Sequence, residues 1–151
     1  MPDNAAINAL TANTSEGFTL TVSDGSASDS KAFTVNLTGV NDTPVLSASL
    51  TSTTFTDTAG ADTFSAVTGT LSTVERDGLQ TQSYGVTGGS ADTSVSGYDT
   101  SKAGTYGKLY VNASTGAYTY VPDNAAINAL TANTSEGFTL TVSDGDRKSV
   151  V

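Results

Sequence analysis

One segment of 24 residues occurs twice in this chain without a single substitution, at Pro2–Gly25 and at Pro122–Gly145. Repetition at a fixed offset constrains the fold more than any local pattern, because both copies must suit the same kind of structural unit. The offset of 120 residues exceeds the period of helical-pair and leucine-rich repeats, about 20–50 residues, and matches a whole domain of about 100–150 residues. The sequence therefore predicts a window on a tandem array, holding the end of one domain and most of the next.

The boundary between the two predicted units lies where small polar residues interrupt the strand pattern. We expect residues 1–39 to be the C-terminal part of one repeat, residues 40–44 to be a linker, and residues 45–145 to be the next repeat without its last strand. Pro44 supports the linker because a proline holds the residue before it in an extended conformation. Residues 146–151 differ from the residues after the first copy, which begin at Ser26, and are interpreted as a tail outside the repeat.

Alternating side chains predict an all-β fold. In Phe18–Val22 the apolar residues alternate with threonine, and Ala32–Thr38 alternates in the same way, which is typical of half-buried strands. The segments Lys108–Val111 and Ala117–Val121 flank a turn-rich stretch and predict a second hairpin. Threonine and valine favour strands, and glycine, asparagine and aspartate favour turns. Short strands with turn signals between them indicate a β-sandwich.

Composition excludes several classes of function. The chain has no cysteine and no histidine, which removes zinc sites, thiol nucleophiles and histidine acid–base chemistry. Fifteen acidic and six basic residues give a net charge of −9, so we expect no nucleic-acid partner and an affinity for cations. The alternative is that the acidity serves solubility alone. The sequence contains no run of about 18 apolar residues, so we expect no insertion into a membrane.

We expect no enzymatic activity. Glu75 with Asp77, or Glu136 with Asp123, would supply the carboxylate pair that glycoside hydrolysis requires, but no pattern groups either pair with a substrate cleft.

A set of short motifs, in order, resembles the VCBS-type repeat. The motifs are Phe33–Thr38, Gly39–Pro44, Gly107–Val111, Thr115–Tyr120 and Phe138–Gly145. The resemblance implies an immunoglobulin-like or cadherin-like β-sandwich of the kind strung in long arrays in large secreted bacterial adhesins, often of the RTX type. It therefore implies an extracellular location on the bacterial surface and a role as an extender or stalk, with neighbouring repeats of the same chain as its partners.

The resemblance also implies Ca²⁺ at the junctions between domains. In cadherin-like arrays the ligands come from an acidic residue before the penultimate strand, from an Asn-Asp linker, and from an acidic turn of the following domain. The matching residues here are Glu16 and its copy Glu136, the linker pair Asn41 and Asp42, and the turn residues Glu75 and Asp77. Glu75 stands where the family pattern has aspartate. The alternative is that the linker pair and Asp77 only form turns.

Two further expectations remain open. The alternative function is a glycan-binding or protein-binding adhesion module, for which the six tyrosines would offer stacking faces.

In addition, a second unit without a counterpart of Ala32–Thr38 would leave a sheet edge unpaired. This predicts self-association by strand addition, in which the hairpin Phe18–Thr38 of one molecule, or Ala32–Thr38 alone, completes the sheet of another. The alternative is that the strand folds back within one chain, which the extended linker Gly39–Pro44 resists.

Overall fold

A computed structural model describes residues 3–77 and 80–145 with their side chains, and the backbone of residues 148–150. The chain divides into two compact units. Unit 1 consists of Met1–Asp42 together with Glu75–Leu79, and unit 2 consists of Thr43–Val74 together with Gln80–Val151. The division after Asp42 falls inside the linker predicted at residues 40–44.

Unit 1 contains one short helix and one long antiparallel hairpin. Helix α1 (Asn4–Asn8) begins at Asp3, whose carboxylate accepts hydrogen bonds from the backbone N–H groups of Ala5 and Ala6. Strands β1 (Thr14–Ser23) and β2 (Ser28–Leu37) pair along their whole length, from Thr14 opposite Leu37 to Ser23 opposite Ser28.

The turn of this hairpin is built by the Asp24-Gly25 pair. The Asp24 carboxylate accepts from the backbone N–H groups of Ser26 and Ala27 at 2.9 and 2.8 Å, and these bonds hold its pKa below the usual value. Gly25 has a φ of 93°, a left-handed conformation that favours glycine. The aspartate therefore stabilises a turn here.

Unit 2 is formed by two antiparallel sheets. Its elements are β3 (Val45–Ala48), β4 (Val67–Val74), β5 (Ser83–Val86), β6 (Ser90–Ala91), β7 (Thr100–Ala103), β8 (Gly107–Val111), β9 (Ala117–Pro122), α2 (Asn124–Asn128), β10 (Leu140–Ser143) and β11 (Lys148–Val150). One sheet has the strand order β3-β4-β9-β8-β7-β6, and the other has the order β11-β10-β5. Among the residues described, no helix is long and apolar enough to cross a membrane.

The core of unit 2 lies between these two sheets. The six-stranded sheet contributes Leu46, Leu71, Leu109, Val111 and Tyr118, and the three-stranded sheet contributes Val86 and Val142. Val111 and Val142 are fully buried, at 0% exposure each. Two sheets whose inner faces share one apolar cluster make a sandwich-like, all-β unit, which confirms the predicted fold class.

The two copies of the repeated segment adopt different structures over part of their length. In unit 1 the residues Thr14–Ser23 are all strand, but in unit 2 the strand begins at Leu140, and residues 134–139 are irregular. The strand of the second copy therefore starts six residues later than that of the first copy. Pairing explains the difference, since β1 has a ten-residue partner whereas β10 has four residues of β5 on one side.

The tail interpreted as foreign to the repeat supplies a strand. β11 pairs with β10 so that Thr141 lies opposite Val150 and Ser143 opposite Lys148. In unit 1, Thr21 lies opposite Ser30 and Ser23 opposite Ser28, which is the same register displaced by the repeat offset. The three residues of β11 thus occupy the position of the first three residues of β2, Ser28–Ser30, although their sequence is unrelated.

The repeated strand provides a matched test of burial. Val142→Ala removes two buried carbons and should lower the free energy of unfolding of unit 2 by about 2 kcal/mol. Val22→Ala, in an identical sequence context but at a side chain that is 69% exposed, should change stability by less than about 0.5 kcal/mol. Urea unfolding of dilute protein measures both, and equal losses would contradict the burial assigned to the two copies.

Candidate functional site

The acidic turn after β4 closes on the linker residue Asp42. Asp77 is 2% exposed, and its Oδ2 accepts a hydrogen bond from the Asp42 backbone N–H at 2.5 Å. Glu75 Oε1 accepts from the backbone N–H groups of Arg76 and Asp77, at 2.8 and 3.1 Å, and so shapes the turn that presents Asp77. The structure therefore brings Asp42, Glu75 and Asp77 into one part of unit 1.

Each of the two turn carboxylates has one oxygen that is not satisfied. Asp77 Oδ1 and Glu75 Oε2 are buried, and neither has a hydrogen-bond partner among the residues described. A buried carboxylate oxygen without a donor loses its hydration and gains nothing in exchange, which costs free energy. Such oxygens are the ligands that hard cations prefer.

The start of the linker is positioned by Gly39. A Cβ atom built on Gly39 would overlap the backbone of Ala12 and of Leu10, so no larger residue fits without a shift of the chain. This close approach packs Gly39, two residues before Asn41, against the segment that follows α1. Asn41 and Asp42 are half-buried.

The other predicted ligands are the two repeated glutamates. Glu16 is exposed on β1, opposite Val35. Its copy Glu136 belongs to unit 2. Within the described part of the chain, no three acidic side chains are grouped so that they could hold a metal ion between them. A cation at the Asp77 turn would therefore need backbone carbonyl groups and water in addition to the carboxylates of Glu75 and Asp77.

Glu136 is a structural anchor in unit 2. Its carboxylate accepts hydrogen bonds from the backbone N–H of Thr105 at 2.7 Å, from that of Tyr106 at 3.3 Å, and from the Tyr120 hydroxyl at 2.5 Å. Burial and the neighbouring carboxylate raise the pKa of Tyr120 well above its usual value. These bonds attach the irregular segment 134–139 to the loop between β7 and β8.

Unit 2 also contains an apolar cavity of about 600 Å³. Among its lining residues are Tyr118, Tyr120, Phe138, Glu136 and Thr134. The Tyr118 hydroxyl donates to the Leu50 carbonyl and accepts from the Leu50 N–H, so it is held by the strand-free segment after β3. No sequence pattern indicates this cavity, because it depends on residues far apart in the chain.

The Tyr120 ring at the cavity is packed against other aromatic rings. Its centroid lies 5.9 Å from that of Phe55, in a stacked arrangement, and 5.9 Å from that of Phe138. The stacking on Phe55 and the hydrogen bond from the Tyr120 hydroxyl to Glu136 reduce the surface that Tyr120 can offer to a sugar.

A charged pair on the six-stranded sheet is likewise not indicated by any sequence pattern. Lys108 Nζ lies 2.5 Å from Asp92 Oδ2, and the Ser101 hydroxyl donates to the same oxygen at 2.7 Å. The Lys108 ammonium group, together with the hydrogen bonds from Ser94 and Ser101, holds the pKa of Asp92 far below its usual value. The pair joins the β6 end of the sheet to β8, and its charges are already compensated.

A comparison with protein-family models finds no match for this chain, and neither does a comparison with curated proteins. The function must therefore be argued from the repeated segment and from the geometry of these sites.

The two copies of the repeated glutamate give a second matched test. Glu136→Ala removes the acceptor of three hydrogen bonds and leaves the N–H groups of Thr105 and Tyr106 without it, so unit 2 should lose about 1.5–3 kcal/mol of stability. Glu16→Ala makes the same change of charge at an exposed position and should cost less than about 0.5 kcal/mol. Chemical unfolding measures both variants, and a neutral Glu136→Ala would refute the anchoring role.

Proposed function

We propose that this chain is a structural spacer of a secreted bacterial surface adhesin, an immunoglobulin-like repeat whose linker is stiffened by Ca²⁺. The observation that carries the proposal is the hydrogen bond from the Asp42 N–H to the buried Asp77 carboxylate, beside two carboxylate oxygens without hydrogen-bond partners among the described residues. The linker and the acidic turn are predicted as ligand sources by the resemblance to VCBS-type repeats. The identical segments 120 residues apart support a role in a repeated array.

The chemistry of the acidic turn suits Ca²⁺. This ion takes six to eight oxygen ligands from carboxylates, carbonyl groups and water, and it tolerates irregular geometry. Asp77 Oδ1 and Glu75 Oε2 are oxygens of this kind, already removed from bulk water. We assign Asn41 and Asp42 of the linker to the same site, because the backbone N–H of Asp42 binds the Asp77 carboxylate.

Binding of the ion would couple directly to the order of the linker. A cation compensates the buried carboxylates, whose charge is costly to bury alone. Because Asp77 also holds the backbone of Asp42, metal bound at the turn would restrain residues 39–44, where the chain has only small polar side chains, valine and proline. A restrained linker transmits tension and direction from one repeat to the next, which is what a spacer requires.

The alternative, a glycan-binding module, has less support from the geometry. The aromatic cavity of unit 2 would be its natural site, but the hydroxyl groups of Tyr118 and Tyr120 bind protein atoms, and the Tyr120 ring stacks on Phe55. Recognition of a sugar relies on exposed ring faces and free polar groups.

The proposal predicts a Ca²⁺-selective rise in thermal stability. At a Ca²⁺ concentration about a hundredfold above the dissociation constant, binding stabilises the folded form by about 2.7 kcal/mol, which corresponds to about 5–10 °C in the unfolding midpoint. Glu75→Gln and Asp77→Asn keep the side-chain shapes but remove the charges, so each should abolish most of this shift. Differential scanning calorimetry in Ca²⁺, Mg²⁺ and EDTA measures the effect.

Asp62→Asn is the matched control for this experiment. Its carboxylate accepts hydrogen bonds within its own loop, from Thr58, so the variant should keep the full Ca²⁺ response. A chain whose midpoint is the same in Ca²⁺ and EDTA would contradict the metal-stiffened linker and leave the turn as a hydrogen-bonded corner.

A further inference from the structure

The same strand is exposed in one unit and buried in the other. In β1 the side chains of Phe18, Leu20 and Val22 are 46%, 60% and 69% exposed. In the second copy, Val142 is fully buried, and Leu140 and Phe138 pack against the core of unit 2. An apolar row of this size on an exposed sheet face marks an interaction surface. Unit 2 already accommodates the identical side chains of the second copy, so the structure contains a surface that is complementary to this row.

We propose that the hairpin β1–β2 of one molecule replaces β10 in unit 2 of a second copy of this chain. The incoming strand would pair with β5 in the register that β10 uses, in which Leu140 lies opposite Val86 and Thr141 opposite Gly85. Leu20 and Thr21 of the first molecule would then lie opposite Val86 and Gly85 of the second. The partner is thus a second copy of the chain, and the contact is an exchange of identical strands.

The incoming hairpin carries a longer partner strand, β2, than the strand β11 that it would displace. β10 is covered on its outer edge by three residue pairs with β11, whereas β1 carries ten residue pairs with β2. The register relative to the repeated strand is the same in both cases, so β2 would lie where β11 lies and extend well beyond it. The edge that is short in unit 2 would become fully paired.

The cavity of unit 2 indicates where the additional side chains of β2 would go. Among its lining residues, Phe138, Glu136 and Thr134 are the copies of Phe18, Glu16 and Thr14. In the hairpin these three residues lie opposite Phe33, Val35 and Leu37, in that order. Residues directly opposite each other project from the same face of a sheet.

Docking of the hairpin would therefore place the apolar row of β2 beside the cavity of about 600 Å³. Phe18 and Phe33 already contact each other in the hairpin, with ring centroids 6.4 Å apart. Apolar side chains that pack against the apolar lining of the cavity leave water and gain dispersion contacts. Burial of Leu20 and Val22 is offset by exposure of the identical Leu140 and Val142 in the displaced strand, so the net gain comes from the side chains of β2, such as Phe33, which is 54% exposed in unit 1.

The contact joins different surfaces of the two molecules. The donor is unit 1 of one copy and the acceptor is unit 2 of the next, so the interface is heterologous and leaves a free donor and a free acceptor at the ends. Repetition of this contact produces linear chains of molecules. Each copy carries a net charge of −9, so assembly should strengthen as added salt screens the repulsion.

The absence of cysteine allows a direct test by disulfide trapping. In the full chain, Thr21→Cys with Gly85→Cys places two thiols opposite each other across the proposed contact, within the Cα separation that a disulfide spans. Oxidation at increasing protein concentration, in EDTA, should produce dimers and a ladder of higher multiples on a non-reducing gel.

The matched control prevents β10 from leaving unit 2. Gly85→Cys with Thr141→Cys cross-links β5 to β10 inside one molecule, at a pair that the structure places opposite each other. The oxidised control should stay monomeric by sedimentation velocity at concentrations where the unmodified chain associates, and reduction should restore association. Association by the locked form would overturn the exchange.

A second pair of variants tests the apolar face. Leu20→Asp introduces a charge on the face that docks, whereas Thr19→Asp introduces it on the opposite face of the same strand. We expect Leu20→Asp to abolish concentration-dependent association and Thr19→Asp to retain it. The proposal would be overturned if both variants lost association equally or if Leu20→Asp associated as before. It would also be overturned if the disulfide between positions 21 and 85 formed within single chains, or if the protein were a monomer at every concentration. Because EDTA is present throughout, the result is independent of the proposed calcium site.

Discussion

The apolar row of the repeated strand needs a facing sheet, and the rest of the structure depends on whether it has one. In unit 2, Val142 lies beneath a six-stranded sheet and belongs to a closed cluster with Val111 and Leu71. In unit 1 the described residues supply one hairpin, and the same row is exposed. Burial of such side chains is the main favourable term in folding, so one sequence yields a core strand in one context and a free surface in the other.

Local signals in the sequence were sufficient to predict the hairpins. The alternation in Phe18–Val22 and the Asp24-Gly25 turn correspond to β1 and its connection, and the second predicted hairpin corresponds to β8 and β9. Strand β3 ends at Ala48. Beyond that point the chain is held by Tyr118, which binds Leu50 from a position 68 residues away. A contact of that range has no local pattern.

The candidate calcium site shows the same limit of prediction from local sequence. The acidic turn and the linker were found because their residue types resemble a known arrangement, and the structure brings Asp42 and Asp77 together. Of the two repeated glutamates, Glu16 is exposed on β1 and Glu136 belongs to unit 2. Glu136 instead binds a loop thirty residues earlier, through backbone N–H groups that any sequence would carry. Donors of that kind cannot be read from side-chain patterns, and the cavity beside them is equally invisible in the sequence.

The shared register of β2 and β11 shows that the outer edge of the repeated strand accepts partners of different sequence. The repeated strand itself carries an internal reference for measurements of dynamics. The intrinsic rate at which a backbone amide exchanges its hydrogen with water depends on the neighbouring side chains, and those are the same around Leu20 and Leu140. The ratio of the two observed rates therefore equals the ratio of protection in a free hairpin and in a packed sheet, with no correction for sequence. In this molecule, two signals in one spectrum thus compare the opening of the same strand in a free hairpin and in a packed sheet.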